Sequence, residues 1–413
     1  MDKSISKRYE SVLLFLSSVF TIICLCLSCF CIIFAGIDNN TQYHTMKEQI
    51  LQQFAIMDGS YRLEPLHIGI INDSYVVRAE DKDAPSYFLQ RINHHIFENV
   101  DGLQHNIQKV TEHIRQKLLA AGVEDVDRRV LRLVPTRDGK LYYKATPELD
   151  GTSDVEYWRI YLLITDSHSQ DQVTPYSAEL AGEAFGTFQC QLSDLPSTEL
   201  VESIPNFHNI EFRLQQLHEA VAADKVGRLS ATRDILSALV SREKEMCLAE
   251  ELHRAGKLPK RINHCDTKVN NMLFDADGKP LCIVDLDTVM PGYVLSDFGD
   301  FMRSAANTGA EDDKCLDNIH VNMDIFRSYA RGYLRRATFL TDTERSLLPF
   351  GCRLLSYMQT VRFYTDYLNG DTYYKTSYAE HNLVRSRAQL RLLEEQEKVS
   401  HEMEQVISSC SCW

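Results

Sequence analysis

The stretch Arg261–Phe274, RINHCDTKVNNMLF, places a histidine, an aspartate, a lysine and two adjacent asparagines just before an apolar run. His264, Asp266 and Asn271 give the spacing H-x-D-x-x-x-x-N, and Lys268 adds D-x-K. Downstream, Asp275–Gly278 (DADG) reads as a hairpin turn, and apolar LCIV then delivers Asp285 and Asp287 at a strand end. Singly these signals are weak, since an aspartate is most often a turn or cap residue. Together they give the order loop, short strand, turn, strand, paired carboxylates, which is the layout of catalytic and metal loops in kinase-like folds.

Phosphoryl transfer needs a carboxylate to accept the proton of the attacking hydroxyl, and cations to neutralise phosphate oxygens. Magnesium takes hard oxygen ligands. The segment fits these needs with Asp266 as base and Lys268 as a point charge near the transferring phosphoryl group. Asn271 and Asp285 are expected to reach magnesium, and His264 to brace the loop through backbone hydrogen bonds. A later DFG, within LSDFGD, lies too far downstream to be the metal triplet. Asp297 and Asp300 are therefore expected to be structural, with Arg303 pairing one of them.

The chain has 413 residues, enough for two lobes, and its 44% apolar and 25% charged content is that of a globular protein. A net charge of −14 argues against nucleic acid as a partner. Of the 12 cysteines, Cys24, Cys26, Cys29 and Cys31 sit in an apolar run. The others are scattered without C-x-x-C spacing, which suggests free thiols in a reducing compartment.

That apolar run, Val12–Phe34, carries no charge and is long enough to cross a bilayer. Lys3, Lys7 and Arg8 before it would hold the chain start in the cytoplasm and place the rest outside, where ATP is scarce. Three resolutions stand: a reversed anchor, an extracytoplasmic protein, or a start at Met46 with residues 1–45 outside the mature chain. The expected location is the cytoplasm, with membrane contact only if residues 12–34 are retained.

From Tyr61 the texture is strand-like: YRLEPLHIGIINDSYVVRAED reads as two strands around a turn at Gly69–Asp73, and SYFLQRI as a third. A helix stopped by Gly122 follows, then a hairpin with DG at its turn, then the apolar strand EYWRIYLLI. After the polar connector TDSHSQDQ the pattern turns helical, including a long segment through ATRDILSALVSREKEMCLAEELHRAG. The expected class is α+β, bilobal and protein-kinase-like. Residues 46–168 form the strand-rich nucleotide lobe, 169–400 the helical catalytic and substrate lobe, and 401–413 a tail.

With these residues in view, the chain resembles the aminoglycoside-phosphotransferase-like kinases, and among them the N-acetylhexosamine 1-kinases. The resemblance rests on INDSY, YFLQRIN, VTEHIR, YWRIYLLI, IPNFH, HCDTKVNNMLFD, IVDLDTVMPG, SDFGD and RFYTDYLNGDTYY, and spans Met46 to about Leu393. It implies ATP and Mg2+ as cofactors and a sugar acceptor phosphorylated at its anomeric hydroxyl. It also implies Asp266 as base, Asn271, Asp285 and Asp287 at metal positions, and Arg362 and Tyr373 at the sugar. For the nucleotide, a lysine usually stands on the third strand. Here Gln90 and Arg91 occupy that strand, alternation lets only one face the cleft, and Arg91 is favoured for its charge. Gly69 in GIIND is a further expected nucleotide contact, though the turn has no glycine-rich spacing. Ile70 stands where the family often has histidine. The competing readings are a kinase of another small alcohol, of choline or aminoglycoside type, and a membrane-tethered, non-catalytic binding module.

Overall fold

The computed structural model describes residues 47–66, 71–146 and 155–410. Gly69, Ile70 and the apolar run 12–34 lie outside them. No helix among the described residues is long and apolar enough to cross a membrane.

After a short helical turn at 47–51, the described residues form three antiparallel strands: β1 (Tyr61–Leu66), β2 (Asp73–Ala79) and β3 (Tyr87–Ile92). Helix α1 (Val100–Ala120) follows, its first turn capped by the Asn99 side chain and its end followed by Gly122 at φ +68°. Two short strands, β4 (Leu133–Val134) and β5 (Tyr143–Ala145), lie end to end along one edge of β6 (Glu156–Leu162), whose other edge pairs with β3. The expected hairpin turn is present, with Thr136 N–H donating to Lys140 O at 2.8 Å. Its arms pair with β6 rather than with each other.

Alternation gives this sheet two faces. Val77, Leu89, Trp158 and Ile160 cover the outer face with Ile50, Leu51 and Phe54. Ile92 and Tyr161 on the inner face pack on Val100, Leu103 and Ile107 of α1 and reach Leu286 and Val289 beyond the sheet.

The remaining chain is mostly helical. Helix α2 (Pro175–Leu192) begins at a Thr174–Ser177 capping box, and α3 (Ile210–Ala223) at an Asn209 cap. The expected long helix after it is broken into Arg233–Val240, Glu243–Met246 and Leu248–Arg254. Strands β7 (Arg261–Asn263), β8 (Met272–Phe274), β9 (Pro280–Ile283) and β10 (Met290–Gly292) form two small ladders, β7 with β10 and β8 with β9. Helices α4 (Val294–Ala305), α5 (Met323–Arg336), α6 (Leu348–Leu368), α7 (His381–Lys398) and α8 (Ser400–Ser409) complete the fold. Phe298, Phe301, Tyr329 and Tyr333 centre one helical core. Residues expected to be a tail instead form most of α8, which buries Met403 and Ile407 in that core. An N-terminal antiparallel sheet followed by a helical region is the expected kinase-like α+β architecture.

Candidate active site

The two small ladders hold the loop that joins them. Met290 pairs with Asn263 and Met272 with Ile283, so the segments before and after the polar cluster are both anchored. Asp297 at the start of α4 clamps the loop's first turn. Its carboxylate accepts from the backbone N–H groups of His264 and Cys265, each at 2.8 Å, and from Gln189 Nε2 at 2.8 Å. Cys265 takes φ +64°, an unfavourable conformation for a residue with a side chain that this clamp helps to hold. Burial pushes the Asp297 carboxyl up to about 6. His264 accepts from Asp266 N–H at Nδ1 (3.3 Å), which leaves Nε2–H to donate to Val284 O at 2.9 Å. Arg303 pairs with Asp300 and also with Glu311.

Inside this frame the candidate residues Asp266, Lys268 and Asn271 converge. Asp266 Oδ1 lies 2.6 Å from Lys268 Nζ, and Oδ2 accepts from Asn271 Nδ2 at 3.1 Å. Burial pushes the Asp266 carboxyl up, but Lys268 and Asn271 outweigh it and hold the group below the usual carboxylate range. Asn271 also donates to Asp266 O at 2.8 Å, so its amide is oriented with the nitrogen toward the base and the oxygen away. Val284 N–H donates to Asn271 O at 2.9 Å, which sets Asp285 beside Asn271. Asp285 sits at φ +60°. Burial first, then the nearby Asp287 and Asp266 charges, raise its carboxyl to about 7.

Among the described residues no hydrogen bond or ion pair reaches the Asp285 side chain, and no three acidic, histidine or cysteine side chains form an all-protein metal cage. A buried carboxylate without a cation, next to an amide oxygen, fits a magnesium ion that draws its other ligands from phosphate and water. Asp287 is differently placed: Arg159 Nη1 is 2.6 Å from its Oδ1, and Asn72 Nδ2 donates to its Oδ2 at 2.6 Å. Both of its oxygens therefore have protein partners.

The sheet resolves the choice between Gln90 and Arg91 against the expectation. Gln90 pairs with Arg159 and shares the inner face, whereas Arg91 lies opposite Trp158 on the outer one. Arg91 binds Asp73 and Glu156 there. A buried cation on the inner face is Arg159, whose guanidinium donates to Gln90 Oε1 at 2.8 and 3.1 Å. Arg159 had a legible signal, a charge in the middle of the run EYWRIYLLI between Trp158 and Ile160, which only a buried partner would tolerate.

Near Asp266 lies a second group of side chains. Arg362 on α6 stacks over the Phe207 ring at 5.0 Å and lies 5.7 Å from the Tyr374 ring. Tyr373 is 61% exposed, at the rim of this group, while Tyr374 packs inward against Phe363. Phe207 stacks on His208 with ring centroids 4.6 Å apart. Burial, then the charges of Arg362 and Arg213, push His208 down to about 3; Asp266 is close enough to oppose them. Burial and Arg362 lower Arg213 to about 10. Among the described residues neither Arg213 nor Arg362 has a carboxylate partner, so this corner is cationic. His208, Arg213 and Tyr374 were missed in the sequence because the loop and α3 that carry the first two lie far from the catalytic segment in the chain.

Comparison with known proteins follows this geometry. Residues 62–339 match the phosphotransferase enzyme family, APH. A Ralstonia eutropha protein provisionally assigned as an aminoglycoside phosphotransferase superposes with a TM-score of 0.52 at 11% identity, over 86% of this chain and 98% of its own. An ethanolamine kinase from Plasmodium vivax gives 0.49 at 12% identity (80% and 82% covered). A choline kinase from Cryptosporidium parvum gives 0.49 at 9% identity (86% and 94% covered). The first shows the shared fold. The family match spans both the sheet and the Asp266–Asp287 segment, and on that ground the chain belongs to the phosphotransferase enzyme family.

Proposed function

We propose that the protein is an ATP- and magnesium-dependent kinase that phosphorylates the anomeric hydroxyl of an N-acetylhexosamine. The observation that carries this reading is the cationic corner beside the base. Arg362 and Arg213 present guanidinium groups unopposed by carboxylates, with Tyr373 and Tyr374 next to them. A guanidinium fork and phenols suit ring hydroxyls and an acetamido oxygen. A choline, ethanolamine or aminoglycoside cation would meet repulsion there. Retention of Asp266, Asn271 and Asp285 disfavours a non-catalytic binding module.

In this mechanism Asp266, held ionised by Lys268, takes the proton from the acceptor hydroxyl as its oxygen attacks the terminal phosphorus of ATP; the bond from that phosphorus to the bridging oxygen breaks, and ADP leaves. Asn271 and Asp285 would hold the magnesium, which when bound neutralises charge on the phosphate oxygens. Lys268 adds a positive charge at the transferring group, and Asp297 keeps the loop rigid while the proton moves. Positioned base catalysis of this kind contributes about 10²–10⁴-fold. The test is ADP release by residues 46–413 against a panel of N-acetylhexosamines, unmodified sugars, choline, ethanolamine and an aminoglycoside. Turnover with the N-acetylhexosamines supports the reading; turnover confined to the cationic alcohols removes it.

A further inference from the structure

A charge sits in the middle of β6 where its neighbours in the strand are apolar or aromatic. The Arg159 side chain is 2% exposed and that of its partner Asp287 4%. Such a pair is costly to bury and persists only when its remaining polar atoms are satisfied. Nearly all of them are, through partners on β2, β3 and the segments beside them. Gln90 Oε1 accepts two bonds from the guanidinium, and Gln90 Nε2 donates to Ser74 Oγ at 3.0 Å. Asn72 donates to Asp287 Oδ2 while its own Oδ1 accepts from Asn93 N–H at 2.9 Å. The Asp287 carbonyl accepts from Ser203 Oγ at 2.9 Å, and the next segment is held where Asn106 of α1 donates to Val289 O at 2.9 Å. The turn carrying Asp285 is thus tied to β2, β3, β6 and α1, while the Asp285 carboxylate has no protein partner among the described residues.

We propose that Arg159 and Asn72 are positioning residues for the nucleotide-bound metal: they withdraw Asp287 from the ligand set and lock its turn, so that of the two carboxylates Asp285 alone joins Asn271 in facing the metal. This rests on the kinase reading above. Burial excludes the alternative that Arg159 itself grips phosphate, because its guanidinium is closed off from the cleft by Gln90 and Asp287. Local charge balance agrees. The Arg159–Asp287 pair is neutral, Lys268 offsets Asp266, and one carboxylate remains for a cation. Asn72 stands directly before β2, so the same knot couples the start of that strand to the position of Asp285.

Two variants test the clamp. Asn72→Ala removes one arm at a half-buried, uncharged position, where folding is least endangered. Arg159→Met combined with Asp287→Asn removes both buried charges together and leaves neither unpaired. Mg·ADP affinity is measured by titration calorimetry, without turnover, alongside melting temperature and the KM values for ATP and acceptor. The expected result in each variant is a Mg·ADP affinity about 10–100-fold weaker, in the range typical of residues that support metal ligands, with KM for the acceptor changed less than about twofold. A lowered melting temperature with unchanged Mg·ADP affinity would reduce the clamp to a structural role and overturn the proposal. Failure of the unsubstituted protein to bind Mg·ADP would instead overturn the kinase reading, and the clamp with it.

Discussion

Asp266 and Asp285 are both buried carboxylates, yet they are pushed in opposite directions. Lys268 at 2.6 Å favours the ionised form of Asp266, which suits the proposed role of proton acceptor. Asp285 has two acidic neighbours and no direct cation, and is raised to about 7. An acid whose folded value is raised costs stability as pH climbs from 3.8 toward 7, and the full cost persists above that. Asp285→Asn removes this cost. In the absence of magnesium at pH 8 the variant is expected to melt higher than the parent, with the gain vanishing below pH 4. Added Mg·ADP should then stabilise the parent and not the variant. Thermal melting across pH, with and without Mg·ADP, checks both signs. Arg362 belongs to the same scale. Its guanidinium has only Gln359 Oε1 as a hydrogen-bond acceptor among the described residues, so Arg362→Ala is expected to raise KM for the acceptor tenfold or more, about 1.4 kcal/mol, and KM for ATP by less than twofold. Equal effects on both would place Arg362 outside the acceptor site.

Strand alternation and helix packing act at the scale of elements. The strand FLQRI told that one of Gln90 and Arg91 faces the cleft, but parity alone does not say which. The answer lay in partners far along the chain: Glu156 draws Arg91 outward, and Arg159 opposite Gln90 fills the inner face. Asp266, Asn271 and Asp285 were legible because a short loop and a hairpin bring them together locally. Tyr374 was not, because whether it or Tyr373 turns inward depends on Asp366, whose carboxylate accepts from the backbone N–H groups of both. Between helices, α2 and α5 approach so closely that a Cβ on Gly332 would lie 2.0 Å from Glu179 O, and one on Gly182 2.3 Å from Tyr329 O. Backbone cannot yield as a flexible side chain would. Gly332→Ala is therefore expected to lower stability by about 1–3 kcal/mol, measured by denaturant unfolding, with KM values for the folded fraction unchanged.

For the molecule as a whole, the strand-rich start, polar connector and helix-rich remainder were readable because the period of apolar residues changes from two to about 3.6 across the connector. The docking of α8 was not readable, since two buried residues, Met403 and Ile407, carry it. The net charge of −14 makes the cationic corner around Arg213 and Arg362 a local feature set against the overall field. The account as a whole depends on the sheet, the loop and α4 holding one base and one metal-facing carboxylate in the same cleft. The most direct measurement is made on Asp266→Asn, which keeps the size of the side chain and removes its charge: turnover and Mg·ADP affinity are determined on the same preparation. The account predicts turnover lower by about 10²–10⁴-fold with Mg·ADP affinity within about threefold of the parent. Turnover near that of the parent would contradict it.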